Sequence, residues 1–215
     1  VIWVLLGPPG AGKGTQAAKL ARDLGWAHIS TGDLLRAHRQ AGTALGREAD
    51  AHLTGGTLVA DETVIGMVAE RLAEPDARVG AVCDGFPRTL PQARALDRLA
   101  EAFRFEAPQA VVLMVSEEAV LERLTGRRVC SACGHNYHVT LRPPSVADVC
   151  DVCGGTLVQR EDDTPATVGR RLAVYAAETE PVLAYYAETG RLARLAGEGA
   201  AADVGRRLRE VVGQA

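Results

Sequence analysis

The stretch Gly7-Pro8-Pro9-Gly10-Ala11-Gly12-Lys13-Gly14-Thr15 sets four glycines and a lysine within nine residues, and the chemistry it can do is anion binding. Glycine admits backbone conformations that a Cβ forbids, so successive N–H groups can close on a phosphate. Gly, four residues, then Gly-Lys is the spacing of a phosphate-binding loop, with Lys13 as a point charge for the terminal phosphates. One position departs from that pattern. A Mg²⁺-binding hydroxyl is expected directly after the lysine, but Gly14 stands there and Thr15 follows.

Three other sets of residues carry chemistry. Asp84 follows an apolar stretch at 79–83 and precedes Gly85-Phe86-Pro87-Arg88. An aspartate at the carboxyl end of a parallel strand, downstream of a phosphate loop, is positioned to hold Mg²⁺; the plainer reading is a turn residue. Arg36, Arg88, Arg123, Arg127, Arg160 and Arg171 fall at segment boundaries, where their forks can bind phosphate oxygens bidentately. Any one of them alone reads as a solvated surface charge. Cys130-x-x-Cys133 and Cys150-x-x-Cys153, sixteen residues apart, have the spacing of a Zn²⁺ site. Four thiolates leave no open position for water, so that metal is expected to be structural. Paired disulfides are the alternative, disfavoured in a reducing compartment. His135, His138 and Asp148 are unneeded as ligands, and Cys83 reads as a small buried apolar residue.

Regular elements must position these groups. The apolar run 1–6 reads as a buried parallel strand feeding the loop, and 16–24 as a helix aiming its N-terminus at the anion. A short strand at 26–29 leads to Ser30-Thr31-Gly32-Asp33, suited to capping a helix over 34–40. A second short helix, 44–53, closes at Gly55-Gly56, and Asp61 is expected to cap the next, whose Val64, Met67, Val68 and Leu72 recur at helical spacing. Strands follow at 79–83, 110–115 and 192–195, with helices at 92–102, 117–124 and 204–212. Thr164 and Pro165 start another helix, which Pro181 bends or interrupts. Residues 126–163 fit no period of the main sheet. The alternation implies an α/β fold: a P-loop NTPase-type, doubly wound parallel sheet of five strands.

A chain of 215 residues suffices for one such core with a small insertion. The net charge of −3 provides no global basic footprint for nucleic acid. Apolar runs fall short of the ~20 residues of a membrane span. The first strand runs straight into the loop without a basic leader, so a cytoplasmic protein is expected. Lys13 and Lys19 are the only lysines, which makes the retained Lys13 more informative.

Taken together, the loop at 7–15, Ser30-Thr31-Gly32-Asp33-Leu34-Leu35-Arg36, Asp84-Gly85-Phe86-Pro87-Arg88-Thr89-Leu90-Pro91-Gln92-Ala93 and Gly126-Arg127-Arg128 resemble the adenylate kinases, in their long bacterial form with a zinc-bearing LID. The resemblance covers nearly the whole chain, and the family shares the Gly14 departure. It implies a CORE of residues 1–30, 61–126 and 164–215, an AMP-binding domain at 31–60 and a LID at 127–163. It assigns Gly10, Ala11, Gly12, Lys13, Gly14, Thr15, Arg123, Arg127 and Gly199 to ATP. To AMP it assigns Thr31, Arg36, Thr57, Leu58, Val59, Gly85, Phe86, Pro87, Arg88, Gln92, Arg160 and Arg171. Lys13, Arg88, Arg123, Arg160 and Arg171 would act on the transferring phosphoryl group, and Asp84 would anchor Mg²⁺ through water. Gln92 can donate and accept at once, as adenine requires. Asp162 and Asp163 match the acidic pair at the LID hinge. Cys130, Cys133, Cys150 and Cys153 would hold structural Zn²⁺. The expected function is reversible transfer of the terminal phosphoryl group from ATP to AMP, giving two ADP, by a monomer.

Two positions depart from the family. Gly169 replaces a basic residue of many relatives, costing up to ~1 kcal/mol of helix propensity and softening the hinge. Gly197-Glu198-Gly199 replaces a more typical Asp-Gly-x-Lys/Pro run, which implies weaker discrimination of the donor base. The alternatives are a UMP/CMP-type kinase, which Gln92 disfavours, a non-catalytic nucleotide-binding scaffold, which the complete arginine set disfavours, and a zinc-ribbon nucleic-acid-binding ATPase. Asp148, Asp151, Glu161, Asp162 and Asp163 around the cysteines count against the latter.

Overall fold

The computed structural model describes residues 1–213. Strand β1 (Ile2–Leu6) is buried along its length because both faces of its sheet are covered. Ile2, Val4 and Leu6 join one core cluster, while Trp3 and Leu5 join the other. The two-residue period of a strand thus divides one apolar run between two cores. Strands β2 (Ala27–Ser30), β3 (Ala81–Asp84), β4 (Gln109–Met114) and β8 (Leu192–Ala196) complete a five-stranded sheet in the order β2-β3-β1-β4-β8. Every pairing is parallel. β1 is central, and Leu5 pairs with Asp84, so the phosphate loop and the strand-end aspartate emerge side by side.

Helix α1 (Lys13–Leu24) follows the loop and ends at Gly25 in the left-handed conformation. Helices α2 (Thr31–Gln40) and α3 (Ala44–Gly55) form a hairpin beyond the sheet. α2 begins three residues earlier than its sequence implies, because Ser30 ends β2 and also caps the helix, accepting from the Asp33 N–H at 3.3 Å. Thr43 caps α3 in the same way. The two helices touch where Gly46 meets the backbone of His38 and Arg39, and a Cβ at 46 would overlap those atoms. Gly46→Ala is therefore expected to destabilise the fold by about 1–3 kcal/mol, read as a lower denaturation midpoint.

Helix α4 (Asp61–Ala73) corrects one expectation. Asp61 does not cap it; Ala60 takes the cap position without a side-chain bond, and the Asp61 carboxylate turns instead to Thr89 and Gln92. Helices α5 (Leu90–Ala102), α6 (Glu117–Thr125) and α9 (Ala201–Val212) pack around the sheet, the first two capped by Thr89 and Ser116. Between α6 and α7 (Pro165–Val174) the chain forms a second, antiparallel sheet in the order β6-β5-β7. Its strands are β5 (Arg127–Cys130), β6 (Asn136–His138) and β7 (Leu157–Val158). Thr164 caps α7. Pro181 cannot donate to the carbonyl of Ala177, and the chain absorbs the lost bond in a wide π-turn, Tyr175–Thr179, before α8 (Glu180–Glu188).

Candidate active site

The loop after β1 uses its glycines for close approach. Gly7, Gly10 and Gly12 have positive φ, and a Cβ on Gly7 would lie 2.7 Å from the Leu113 carbonyl oxygen of β4. The Lys13 ammonium donates to the carbonyls of Gly7 and Pro8, both at 2.8 Å. A Cβ at Gly14 would stand 3.1 Å from Asp84 Oδ2. The space a side chain after the lysine would take therefore abuts the strand-end carboxylate, which accounts for glycine there.

Burial lowers the Lys13 pKa to about 8, against the opposing pull of Asp84. The unfolded chain keeps that proton up to 10.5, so between about 8 and 10.5 this group makes stability rise with pH. An anion in the loop favours the charged form and should restore the proton. Binding of a polyphosphate anion near pH 9 is expected to take up protons, measured by calorimetry in buffers of different ionisation enthalpy. Binding without uptake would contradict this account of Lys13.

Arginines from separate elements gather near the loop, with Arg88, Arg171 and Arg127 within electrostatic reach of Lys13. Arg88 donates from Nε to the Gly85 carbonyl at 2.8 Å. Burial, and then the charge of Arg171, lowers its pKa. Arg171, on α7, pairs with Asp162 at 2.9 Å and Asp163 at 3.3 Å. Arg127, at the start of β5, forms a bidentate pair with the fully buried Asp163 at 2.8 and 2.6 Å. Arg160 follows β7, and burial with the charges of Arg127 and Arg36 holds its pKa down to about 9. Its buried Nε has no hydrogen-bond partner among the described residues. Such a set favours an anion, since Lys13, Arg88, Arg160 and Arg171 are desolvated and each lies in the field of neighbouring arginines, their charge met only in part by Asp84, Asp162 and Asp163.

A cleft opens between these cations and the α2–α3 hairpin. Thr31, Arg36, Thr57, Leu58, Val59, Gly85, Arg88, Gln92 and Arg171, nine of the twelve residues assigned to AMP, line it. Arg160 lies within electrostatic reach of Arg36 and Asp33. Phe86 is fully buried in the main core, with Pro87 buried beside it, and neither lines the cleft. Leu35, Leu53, Val64, His52 and Asp162 also line it. The apolar three share the helical spacing of core residues, so no periodic signal separates them from the interior. Two contacts reach the hairpin across this cleft: Glu161, in the turn after β7, pairs with Arg39 at 2.9 Å, and Arg170 on α7 donates from Nε to the Gly55 carbonyl at 3.1 Å.

On the other side of the P-loop, Arg123 donates to the carbonyls of Ala11 at 3.4 Å and Gly197 at 3.0 Å, tying the loop to the turn before α9. The unusual turn has local reasons. A Cβ at Gly197 would lie 2.7 Å from Val115 Cγ2, and Glu198 accepts the Ser116 N–H at 2.8 Å. Gly199 holds a positive φ of 97°, with open space where a Cβ would stand. Gly169 likewise has open space at its Cβ.

A family model described as adenylate kinase matches residues 5–191. The chain is 49% identical over 209 residues to an adenylate kinase of Desulfitobacterium hafniense, covering 97% of this chain and 95% of the relative. An adenylate kinase of Moorella thermoacetica is 53% identical over 195 residues, with 90% and 89% covered. The chain belongs to the adenylate kinase family. Membership makes it a phosphotransferase of the nucleoside monophosphate kinase class.

In this adenylate kinase fold the small sheet carries the four paired cysteines. Their Sγ atoms all lie within 4.8 Å of one another. Cys130 and Cys153 stand 3.4 Å apart, and Cys133 and Cys150 3.6 Å, close to the edge of about 3.8 Å that Zn–S bonds imply for a tetrahedron. All four thiols are free of disulfides. The donor set fits Zn²⁺, which would act there as a structural cross-link. No helix among the described residues is long and apolar enough to cross a membrane.

Proposed function

We propose that the chain catalyses reversible, Mg²⁺-dependent transfer of the terminal phosphoryl group of ATP to AMP, giving two ADP. The observation that supports this most is the cation set: Lys13 at the P-loop with Arg88, Arg127 and Arg171 brought toward it from three separate segments, and Arg160 beyond them beside Arg127 and Arg36. Two phosphate groups repel each other strongly, and only such a set can hold them in line. The acceptor phosphate, with a second pKa near ~6, arrives largely deprotonated and needs no general base.

In this reading the loop N–H groups of Gly10 to Thr15, with Lys13, Arg123 and Arg127, hold ATP, while Gly199 borders its base. Arg36 and Arg88 orient the AMP phosphate, and Arg160 and Arg171 take the charge of the transferring group. Asp84, beside Gly14, would hold Mg²⁺, which would neutralise phosphate charge when bound. Leu35, Leu53 and Val64 would sandwich the acceptor base above Gln92. The division into a CORE, an AMP-binding hairpin at 31–60 and a LID at 127–163 follows the two insertions, and their closure would exclude water. We place the enzyme in the cytoplasm as a monomer, in keeping with its free thiols. A coupled assay across AMP, GMP, CMP and UMP tests the acceptor. AMP is expected to be preferred, and preference for UMP or CMP would contradict the reading.

A further inference from the structure

The Asp61 carboxylate is one member of a five-residue network beneath the cleft. Oδ1 accepts from Gln92 Nε2 at 2.7 Å, and Oδ2 from the Thr89 hydroxyl at 2.9 Å. On its other side Gln92 Oε1 accepts the Arg88 backbone N–H at 2.7 Å. Arg88 is held from behind, its carbonyl accepting from the Thr179 hydroxyl at 2.9 Å on the π-turn. Gln92 is 2% exposed yet borders the cleft.

A glutamine amide can ordinarily turn over, exchanging its donor and acceptor ends at little cost. Here it cannot. A carboxylate only accepts and a backbone N–H only donates, so a reversed amide would set oxygen against the carboxylate and NH₂ against the N–H. Both contacts would change from attraction to repulsion in a buried place. Two of the amide's four hydrogen-bonding valences are thereby used, and one N–H and one lone pair remain. Adenine's Watson–Crick edge offers an amino donor beside a ring-nitrogen acceptor, which that remaining pair satisfies. Guanine offers the inverse, an oxygen acceptor beside a ring N–H, and would need the reversed amide.

We propose that Asp61 is a specificity-determining positioning residue: by locking the Gln92 amide in one orientation, it makes the acceptor site select a 6-amino over a 6-oxo purine monophosphate. The inference rests on the proposed AMP site and deepens it. Asp61 lies 31 residues from Gln92 along the chain and touches no reacting atom; it acts only through the amide it holds.

The test is the ratio of kcat/KM for AMP to that for GMP. Asp61→Ala removes one of the two locks and is expected to lower that ratio by about 10-fold. The loss should fall on KM for AMP with kcat largely kept. Asp61→Asn, nearly the same shape, has one acceptor oxygen for two donors and should lie between Asp61→Ala and the wild type. This variant also keeps the test decisive if the alanine variant folds poorly by thermal melt. General loosening of the pocket would weaken AMP and GMP alike, so an unchanged ratio in a folded variant overturns the lock. A wild-type enzyme inert towards AMP would instead overturn the reading beneath it, which separates the two failures.

Discussion

Arg88→Ala is expected to slow phosphoryl transfer from ATP to AMP by about 10²–10³-fold, the scale set by losing a donor that meets developing charge. Arg88 sits at the turn after β3, half-buried, with Nε fixed on the Gly85 carbonyl, so its remaining guanidinium N–H groups stay available for phosphate. Burial and the charge of Arg171 depress its pKa, which means the charged side chain is held against the folded state's own preference. Removing it should therefore leave stability unchanged or slightly raised, and that pairing of lost rate with kept stability distinguishes a site residue from a structural one. Arg88→Lys keeps the charge but loses the fork, and should recover only part of the rate. A coupled assay and a thermal melt on the same samples read both quantities. Wild-type turnover by Arg88→Ala would remove the residue from the mechanism.

Removing the metal should have the second large effect. The strands of the small sheet contain four, three and two residues, too few to hold together alone. Its buried cluster is Cys130, Tyr137, Cys150 and Leu157, so two of the four members are thiolate donors. A segment with so little core would draw folding free energy from a metal held by the four cysteines. Arg127 opens β5 and Arg160 follows β7, so both cations ride on this sheet. Chelated protein, or a Cys130→Ser/Cys150→Ser variant, is expected to melt about 5–10 °C lower, the shift of a few kcal/mol in a chain of this size. It should also lose at least about 10-fold in phosphoryl transfer. Elemental analysis should find one zinc per chain in protein made with zinc present. A metal-free preparation with unchanged melting and activity would refute the structural role.

Much of this was legible in the sequence because the decisive groups lie in short contiguous patterns. The phosphate loop occupies nine residues, and each Cys pair four. The caps at Ser30 and Thr164 are local bonds spanning three residues. The sheet's alternation followed from apolar runs separated by helical periods, although strand order did not. What stayed hidden is long-range. Asp61 was read as a cap because aspartate at a helix start usually is one, and tertiary partners at Thr89 and Gln92 outcompeted that local role. Leu35, Leu53 and Val64 line a cleft while keeping the spacing of core residues. The reach of Arg39 across to Glu161 spans 122 positions in sequence, and only folding brings such a pair together.

The central claim is that two nucleotides occupy one cation-lined cleft and exchange a phosphoryl group directly. The most direct measurement is ³¹P NMR of equimolar ATP and AMP with Mg²⁺ and the purified protein. The account predicts that ATP and AMP disappear one for one, two ADP appear for each pair consumed, and no inorganic phosphate forms. Release of inorganic phosphate with AMP left intact would mean that water, not AMP, is the acceptor, and would contradict it.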